Sequence, residues 1–232
     1  MRFLALATDF DGTIAQHGNV NDSTLAALKR LQEPGRKLIL VTGRELSDLS
    51  KVFPHTKLFD WIVAENGALL YRPATEEIKV LAPEPPKPFI DLLRECGVHP
   101  LSIGRGIVAT SESYKEVVLQ AIKQLGLDLQ VILNKGDVMV LPYNVDKATG
   151  LRAALTEQQI ASDAVVGVGD AENDVALCKA CGFFAAVANA LPLLKKCAHL
   201  VTKSSHGAGV EELIEQILAD TLPQHRRKRT HD

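Results

Sequence analysis

The sequence predicts an α/β protein: a parallel sheet with helices on both faces, and a small α+β block inserted between its two halves. Three observations predict it. Along the 232 residues, short apolar runs alternate with segments of helical periodicity, the pattern of strands joined by crossover helices. The first apolar run leads to Asp9 and Asp11 and is closed by Gly12-Thr13, so a buried strand stops at a polar turn. A proline-rich stretch, Ala82-Pro83-Glu84-Pro85-Pro86-Lys87-Pro88, then breaks the alternation and cannot continue as helix or central strand. The length suffices for one full α/β domain plus such an insert.

Taken in order, Phe3 to Thr8 reads as a buried strand. Leu25, Leu28 and Leu31 mark one face of a helix that stops at Pro34-Gly35. Lys37 to Thr42 and Trp61 to Ala64 read as the next strands, and Asn66-Gly67 as a hairpin-type turn into Ala68 to Tyr71 and Ile78 to Leu81. Beyond the prolines, Phe89 to Cys96 reads as helix, Leu101 to Thr110 as one strand and Ser113 to Leu125 as helix. Leu129 to Leu133 and Val138 to Leu141 read as two strands joined at Lys135-Gly136-Asp137. This block is too small for a doubly wound domain of its own and is expected to be a lid. The larger pattern resumes with a helix over Asp146 to Leu155, a strand over Ala164 to Gly169 and a helix over Glu172 to Cys181. Strands over Phe183 to Val187 and His199 to Thr202 and a helix over Val210 to Ala219 complete it. The expected division is a core at 1–82 and 144–222, an insert at 83–143 and a disordered basic tail at 223–232.

Hydrophobic residues make up 46% and charged residues 23%, with a net charge of −2. That balance makes no global electrostatic case for nucleic acid or a membrane surface as partner. No stretch approaches the roughly 18 apolar residues of a membrane span. Asp9 and Asp11 interrupt the one apolar N-terminal run, so no signal peptide is expected. The expectation is a cytoplasmic monomer or homodimer. Cys178-x-x-Cys181 with Cys197 and His199 superficially matches zinc spacing. The first two fall on an amphipathic helix, where Cys is a common small buried residue, and Cys197-x-His199 is tight for structural zinc; thiols without metal are expected. Arg226-Arg227-Lys228-Arg229 reads as a solvated chain end.

Four segments place polar groups at the ends of elements. Asp9 and Asp11, two apart on extended backbone, point the same way, and two close carboxylates suit a hard divalent metal or an ionised nucleophile beside a protonated acid. An EF-hand loop is excluded because Gly12 is fourth from Asp9, not sixth. Val41-Thr42-Gly43-Arg44 offers a hydroxyl and backbone N–H groups where a helix is expected to open, an anion site. Asp146-Lys147 begins a helix with a point charge able to hold a phosphoryl oxygen. Gly169-Asp170-Ala171-Glu172-Asn173-Asp174 is an acidic loop after an apolar strand. In open α/β sheets the crevice lies beyond the carboxyl ends of the strands, so one crevice is expected to hold Asp9, Asp11, Thr42 and Asp170, with Lys147 entering from its helix.

Together these residues resemble a haloacid dehalogenase-type phosphatase: D-x-D-G-T after the first strand, Thr after the second, a Lys, and an acidic G-D-x-x-N-D loop. The likeness runs to about Leu222. The insert between Thr42 and Lys147, with Ala64-Glu65-Asn66-Gly67-Ala68, is similar to the Cof-type, sucrose-phosphatase-like branch with a C2-type cap, and its shortness is nearer the archaeal-type phosphoglycolate phosphatases. The resemblance implies a Rossmann-like core under a small cap, and Mg²⁺-dependent hydrolysis of a small phosphorylated metabolite, a sugar phosphate or phosphoglycolate, through an aspartyl-phosphate. It implies Asp9 as nucleophile and Asp11 as acid and then base. Mg²⁺ would be held by the carboxylates of Asp9 and Asp170 and the backbone carbonyl of Asp11. Thr42, the Gly43 amide and Lys147 would hold phosphoryl oxygens. Asn173, toward phosphate, and Asp174 would support the site; Arg44 would lie near it without an assigned role. The family's run of helix, strand, Asn189-Ala190, helix and strand would cover 178–202.

Three rival readings remain. A phosphotransferase or phosphosugar mutase on the same fold differs in whether phosphate passes to water or to a second sugar. A response-regulator receiver would carry its phosphoacceptor on a mid-chain strand, whereas D-x-D-G-T opens this chain. A non-catalytic sugar-phosphate binding module would lack a catalytic residue type, and every expected type is present. In the insert, Gly104-Arg105-Gly106 and Lys135-Gly136-Asp137 are candidate loops facing the site, with Arg105 the candidate for a substrate carboxylate or second phosphate.

Overall fold

The structure, a computed structural model, describes residues 2–223, so the basic run at 226–229 lies outside the described residues. The first half of the core comprises β1 (Ala5–Thr8), α1 (Asp22–Gln32), β2 (Lys37–Val41), α2 (Leu46–Val52), β3 (Trp61–Ala64), β4 (Leu69–Arg72) and β5 (Glu77–Val80). The insert follows as α3 (Lys87–Glu95), β6 (Leu101–Ile103), β7 (Val108–Ser111), α4 (Lys115–Gln124), β8 (Leu129–Asn134) and β9 (Asp137–Pro142). The chain then returns through α5 (Lys147–Gln158), β10 (Val165–Gly169), α6 (Asp174–Ala180), β11 (Phe183–Ala186), α7 (Pro192–Cys197), β12 (Leu200–Val201) and α8 (His206–Leu218).

The core sheet has eight strands in the order β12-β11-β10-β1-β2-β3-β4-β5. From β12 to β3 every pairing is parallel, and every residue of β1, β3, β10 and β11 is buried, which requires cover on both faces. Helix α1 packs on α8 and α5 on α6. The sheet is not wholly parallel: β4 and β5 add an antiparallel edge, because a short turn after β3 leaves no room for a crossover helix.

The insert is a four-stranded antiparallel sheet, β6-β7-β9-β8. The single strand expected over Leu101 to Thr110 is instead a hairpin turning at Gly104-Arg105-Gly106. Phe89 and Leu93 of α3 and Val118 and Ala121 of α4 pack with Val108, Val138 and Val140 on one face. Strand alternation sends the next residues, Met139 and Leu141, to the other face, where they meet Ala68 and Ala82 of the core. Helix α3 begins inside the proline stretch, with Pro86 as N-cap and Pro88 in the first turn, where a missing N–H costs nothing. Among the described residues no helix is long and apolar enough to cross a membrane.

Candidate active site

Strand β1 delivers Asp9 one residue past its end, and parallel β10 delivers Asp170 beside it. Lys147 is the first residue of α5, a helix started by a capping box in which Asp146 accepts from the Thr149 amide at 2.8 Å and the Thr149 hydroxyl accepts from the Asp146 amide at 3.0 Å. The Lys147 ammonium lies 2.6 Å from Asp9 Oδ1 and 2.6 Å from Asp174 Oδ1, and all three side chains are buried. The other oxygen of Asp174 accepts from the backbone N–H of Asp170 at 2.9 Å and of Ala171 at 3.1 Å, so this carboxylate folds its own loop back under the site.

These charges are held in a dry place. Burial pushes the Asp9 carboxyl up to about 8, opposed by the Lys147 ammonium and reinforced by repulsion from Asp174 and Asp170. Burial also works against the charge on Lys147, but Asp174 and Asp9 outweigh it and hold the amine above the usual lysine range. Burial raises Asp170 as well, against the pull of Lys135.

Ligand atoms of Asp9, Asp170 and Asp174 lie within 4.8 Å of one another. This is a set of hard oxygen donors, and three carboxylates face only two ammonium groups, Lys147 and Lys135, so the residues fit a small divalent cation such as Mg²⁺. Asp174 is spent on Lys147 and two amides, which leaves Asp9 and Asp170 as the natural carboxylate ligands. The loop after β1 packs tightly against Asp170: a Cβ on Gly12, at φ +82°, would stand 2.2 Å from Asp170 Oδ2. Thr13 donates its hydroxyl to Asp170 Oδ1 at 3.2 Å. The Gly12 carbonyl accepts from Asn189 Nδ2 at 2.8 Å and lies 3.0 Å from His206 Nδ1.

Asp11 goes elsewhere. Its carboxylate accepts two hydrogen bonds from Arg44, from Nε at 2.6 Å and Nη2 at 2.8 Å, and Arg44 also pairs with Asp48. Asp11 therefore stands at the mouth of the site, outside the carboxylate cluster. Thr42 is buried past β2, and its hydroxyl accepts from the Arg44 amide at 3.1 Å. The helix expected to open at Thr42-Gly43 begins only at Leu46, with Glu45 as N-cap; the Gly43 amide thus belongs to a loop and owes nothing to a helix dipole. Asn173 is buried and donates to Asn66 Oδ1 at 3.1 Å, while Asn66 Nδ2 and Asn173 Oδ1 lack partners.

A cavity of about 450 Å³ opens over Asp9, Asp11, Gly43 and Arg44, roofed by Ser102, Ile107, Ala109, Lys135 and Met139 of the insert. Lys135 pairs with Asp170. Arg105, the other candidate, does not reach this cavity. It lines a neighbouring one with Glu45, Glu65 and Glu84, because the turn it occupies docks on Glu65, whose carboxylate accepts from the Gly106 amide at 2.8 Å.

Sequence reasoning missed Thr13, Asn66 and His206 as parts of the site. The signal for Asn66 was present as Asn-Gly but reads locally as a turn. The segment is an unusual one, Glu65, Asn66 and Gly67 taking φ of +53°, +54° and +110° in succession, a backbone cost that persists only where surroundings impose it. They do: the Asn66 amide donates to the Thr42 carbonyl, the Glu65 amide to that of Arg44, and a Cβ on Gly67 would stand 2.0 Å from the Asp146 carbonyl oxygen.

The model of the haloacid dehalogenase-like hydrolase family matches residues 6–125 and 106–214. A phosphoglycolate phosphatase 2 of Saccharolobus solfataricus is 31% identical over 223 residues, covering 93% of this chain and 93% of the relative. A phosphoglycolate phosphatase of Methanothermobacter thermautotrophicus is 29% identical, covering 92% and 98%. The crystal structure of a haloacid dehalogenase-like hydrolase from Bacteroides thetaiotaomicron superposes with a TM-score of 0.79 over 93% of this chain and 99% of that one, at 19% identity, which speaks for the fold alone. The chain belongs to the haloacid dehalogenase-like hydrolases and is a phosphatase of that family.

Proposed function

We propose that this phosphomonoester hydrolase acts on a small phosphorylated metabolite of the phosphoglycolate kind, with Asp9 as nucleophile and Mg²⁺ as cofactor. The observation that carries the reading is the buried Asp9–Lys147–Asp174 chain at the floor of a cavity with Asp11 at its mouth. The names of the two phosphoglycolate phosphatases to which the chain is similar support the substrate.

In this reading an oxygen of Asp9 attacks phosphorus, the P–O bond to the leaving group breaks, and an aspartyl-phosphate forms. Asp11 gives a proton to the departing oxygen and then takes one from the water that cleaves the acyl phosphate, returning Asp9 and free phosphate. Asp11 must leave its double hold on Arg44 to do so, and both side chains are exposed enough to turn, at 43% and 25%. Lys147 favours the ionised form of Asp9 against its burial and offsets charge on the phosphoryl oxygens; Thr42 and the Gly43 amide bind those oxygens, and Asn173 braces them. Mg²⁺ held by Asp9, the Asp11 carbonyl and Asp170 would neutralise the phosphoryl charge and orient the group. The expected setting is cytoplasmic, which cell fractionation checks.

The test is phosphate release from phosphoglycolate, sugar phosphates and p-nitrophenyl phosphate, with Mg²⁺ and with EDTA. Metal-dependent release is expected, with phosphoglycolate preferred. Release unaffected by EDTA, or retained by Asp9→Asn, would overturn the mechanism; silence on every ester would overturn the substrate class.

A further inference from the structure

We propose that Lys135, at the tip of the β8–β9 hairpin, is the specificity-determining cation of this site: it moves from Asp170 to a carboxylate on the leaving group of the substrate. The inference rests on the phosphatase reading above and deepens it by assigning the group that selects an anionic leaving group.

The first support is local. Lys135 and Gly136 take φ of +47° and +91° between the paired residues Asn134 and Asp137, a two-residue turn of type I′. That turn wants Asn or Gly at its first central position, and a lysine there carries a backbone cost. A residue held against local preference next to a catalytic cavity calls for a function. The second is placement. The tip is anchored to the core through the Lys135 amide, which donates to Glu172 Oε2 at 3.1 Å, and the ammonium enters far enough to pair with Asp170, whose side chain is wholly buried.

The third is the charge around the cavity. Its lining contains Asp11, Glu45, Asp48 and Asp137, and two cations, Arg44 and Lys135. The Arg44 fork is held by Asp11 and Asp48, and its tie to Asp48, four residues on, remains when Asp11 turns to the leaving group. Lys135 holds only Asp170, the residue that would also hold the metal. A divalent cation held by the buried carboxylates of Asp9 and Asp170 would outcompete an ammonium whose side chain is 39% exposed on a hairpin tip. Released, the ammonium would face the cavity, whose insert side is otherwise apolar at Ile107, Ala109 and Met139, neutral at Ser102 and Asn134 and acidic at Asp137, so Lys135 is the one cation that the insert contributes to its lining. A short carboxylate-bearing leaving group would find its partner in Lys135.

The variant to make is Lys135→Asn, which removes the charge and suits the turn better, so a loss cannot be ascribed to a broken hairpin. The ratio of kcat/KM for phosphoglycolate to that for p-nitrophenyl phosphate is expected to fall about 10- to 100-fold, mainly through KM, the size of one charge-assisted hydrogen bond. Lys135→Arg is expected to restore the ratio to within about 3-fold. Calorimetric titration of Mg²⁺ into the protein without substrate supplies a readout independent of turnover: Lys135→Asn is expected to bind the metal about 10-fold more tightly, because no ammonium competes for Asp170. An unchanged ratio, or unchanged Mg²⁺ affinity, would overturn the proposal while leaving the phosphatase reading intact. Silence of the unaltered protein on both esters would overturn that reading, and this inference with it.

Discussion

The floor and the rim of the cavity are both built from ion pairs, yet they obey different physics. On the floor, Lys147, Asp9 and Asp174 are buried, both ion pairs measure 2.6 Å, and the supporting contacts to Asp174 come from backbone amides. On the rim, Arg44 with Asp11 and Asp48, and Lys135 with Asp170, retain water on at least one partner. Charges removed from water cannot change partners without a large penalty, whereas half-solvated pairs are worth little and exchange readily. In the proposed mechanism the floor would thus be preorganised for the one step common to all substrates, and the rim adjustable where substrates differ.

The largest way to break this contrast is Asp9→Asn. Turnover of phosphoglycolate is expected to fall by at least about 10³-fold, since an amide neither attacks phosphorus nor holds the metal well; steady-state phosphate release checks it. Next, Lys147→Met leaves Asp9 and Asp174 buried without a counter-charge, and a loss of about 3–5 kcal/mol is expected in chemical denaturation of the metal-free protein. A cost below about 1 kcal/mol would show that the floor is wetter than its burial indicates. Glu65→Ala probes the seam between floor and rim. It strands the buried Gly106 amide, and about 1–3 kcal/mol of stability should go, read by the same denaturation. Smallest is Arg105→Ala: because Arg105 lines the neighbouring cavity, KM for phosphoglycolate should stay within about 2-fold, and a larger rise would bring that loop back into the substrate site.

The turn at Glu65-Asn66-Gly67 ties the two regions. One end docks the insert through Glu65, its centre reaches Asn173, and Gly67 lets the start of α5, which carries Lys147, come within contact distance. Three consecutive left-handed residues make a poor local structure, and they are held by contacts to segments far along the chain.

What the sequence determined by itself is what short stretches encode. Continuous apolar runs placed β1, β2, β3 and β10 within a residue or two, the Leu25-Leu28-Leu31 stripe marked α1, and polar residues past strand ends announced where a crevice had to open. Asp9, Asp170 and Lys147 were legible for that reason, each being the first polar group after a buried strand or at the head of a helix. The antiparallel edge was announced by the hairpin-type turn at Asn66-Gly67 and by nothing in the apolar runs themselves, whereas the hairpin inside Leu101 to Thr110 and the late start of α2 were less legible, since a glycine pair inside an apolar run can be strand or turn. Only the tertiary structure decided that Asp11 turns to Arg44, that Asn66 meets Asn173 from 107 residues away, and that Lys135 rather than Arg105 enters the cavity. Each of these depends on how the insert sits over the sheet, and that docking is the sum of many weak contacts between segments distant in sequence, none of which leaves a pattern in any one of them.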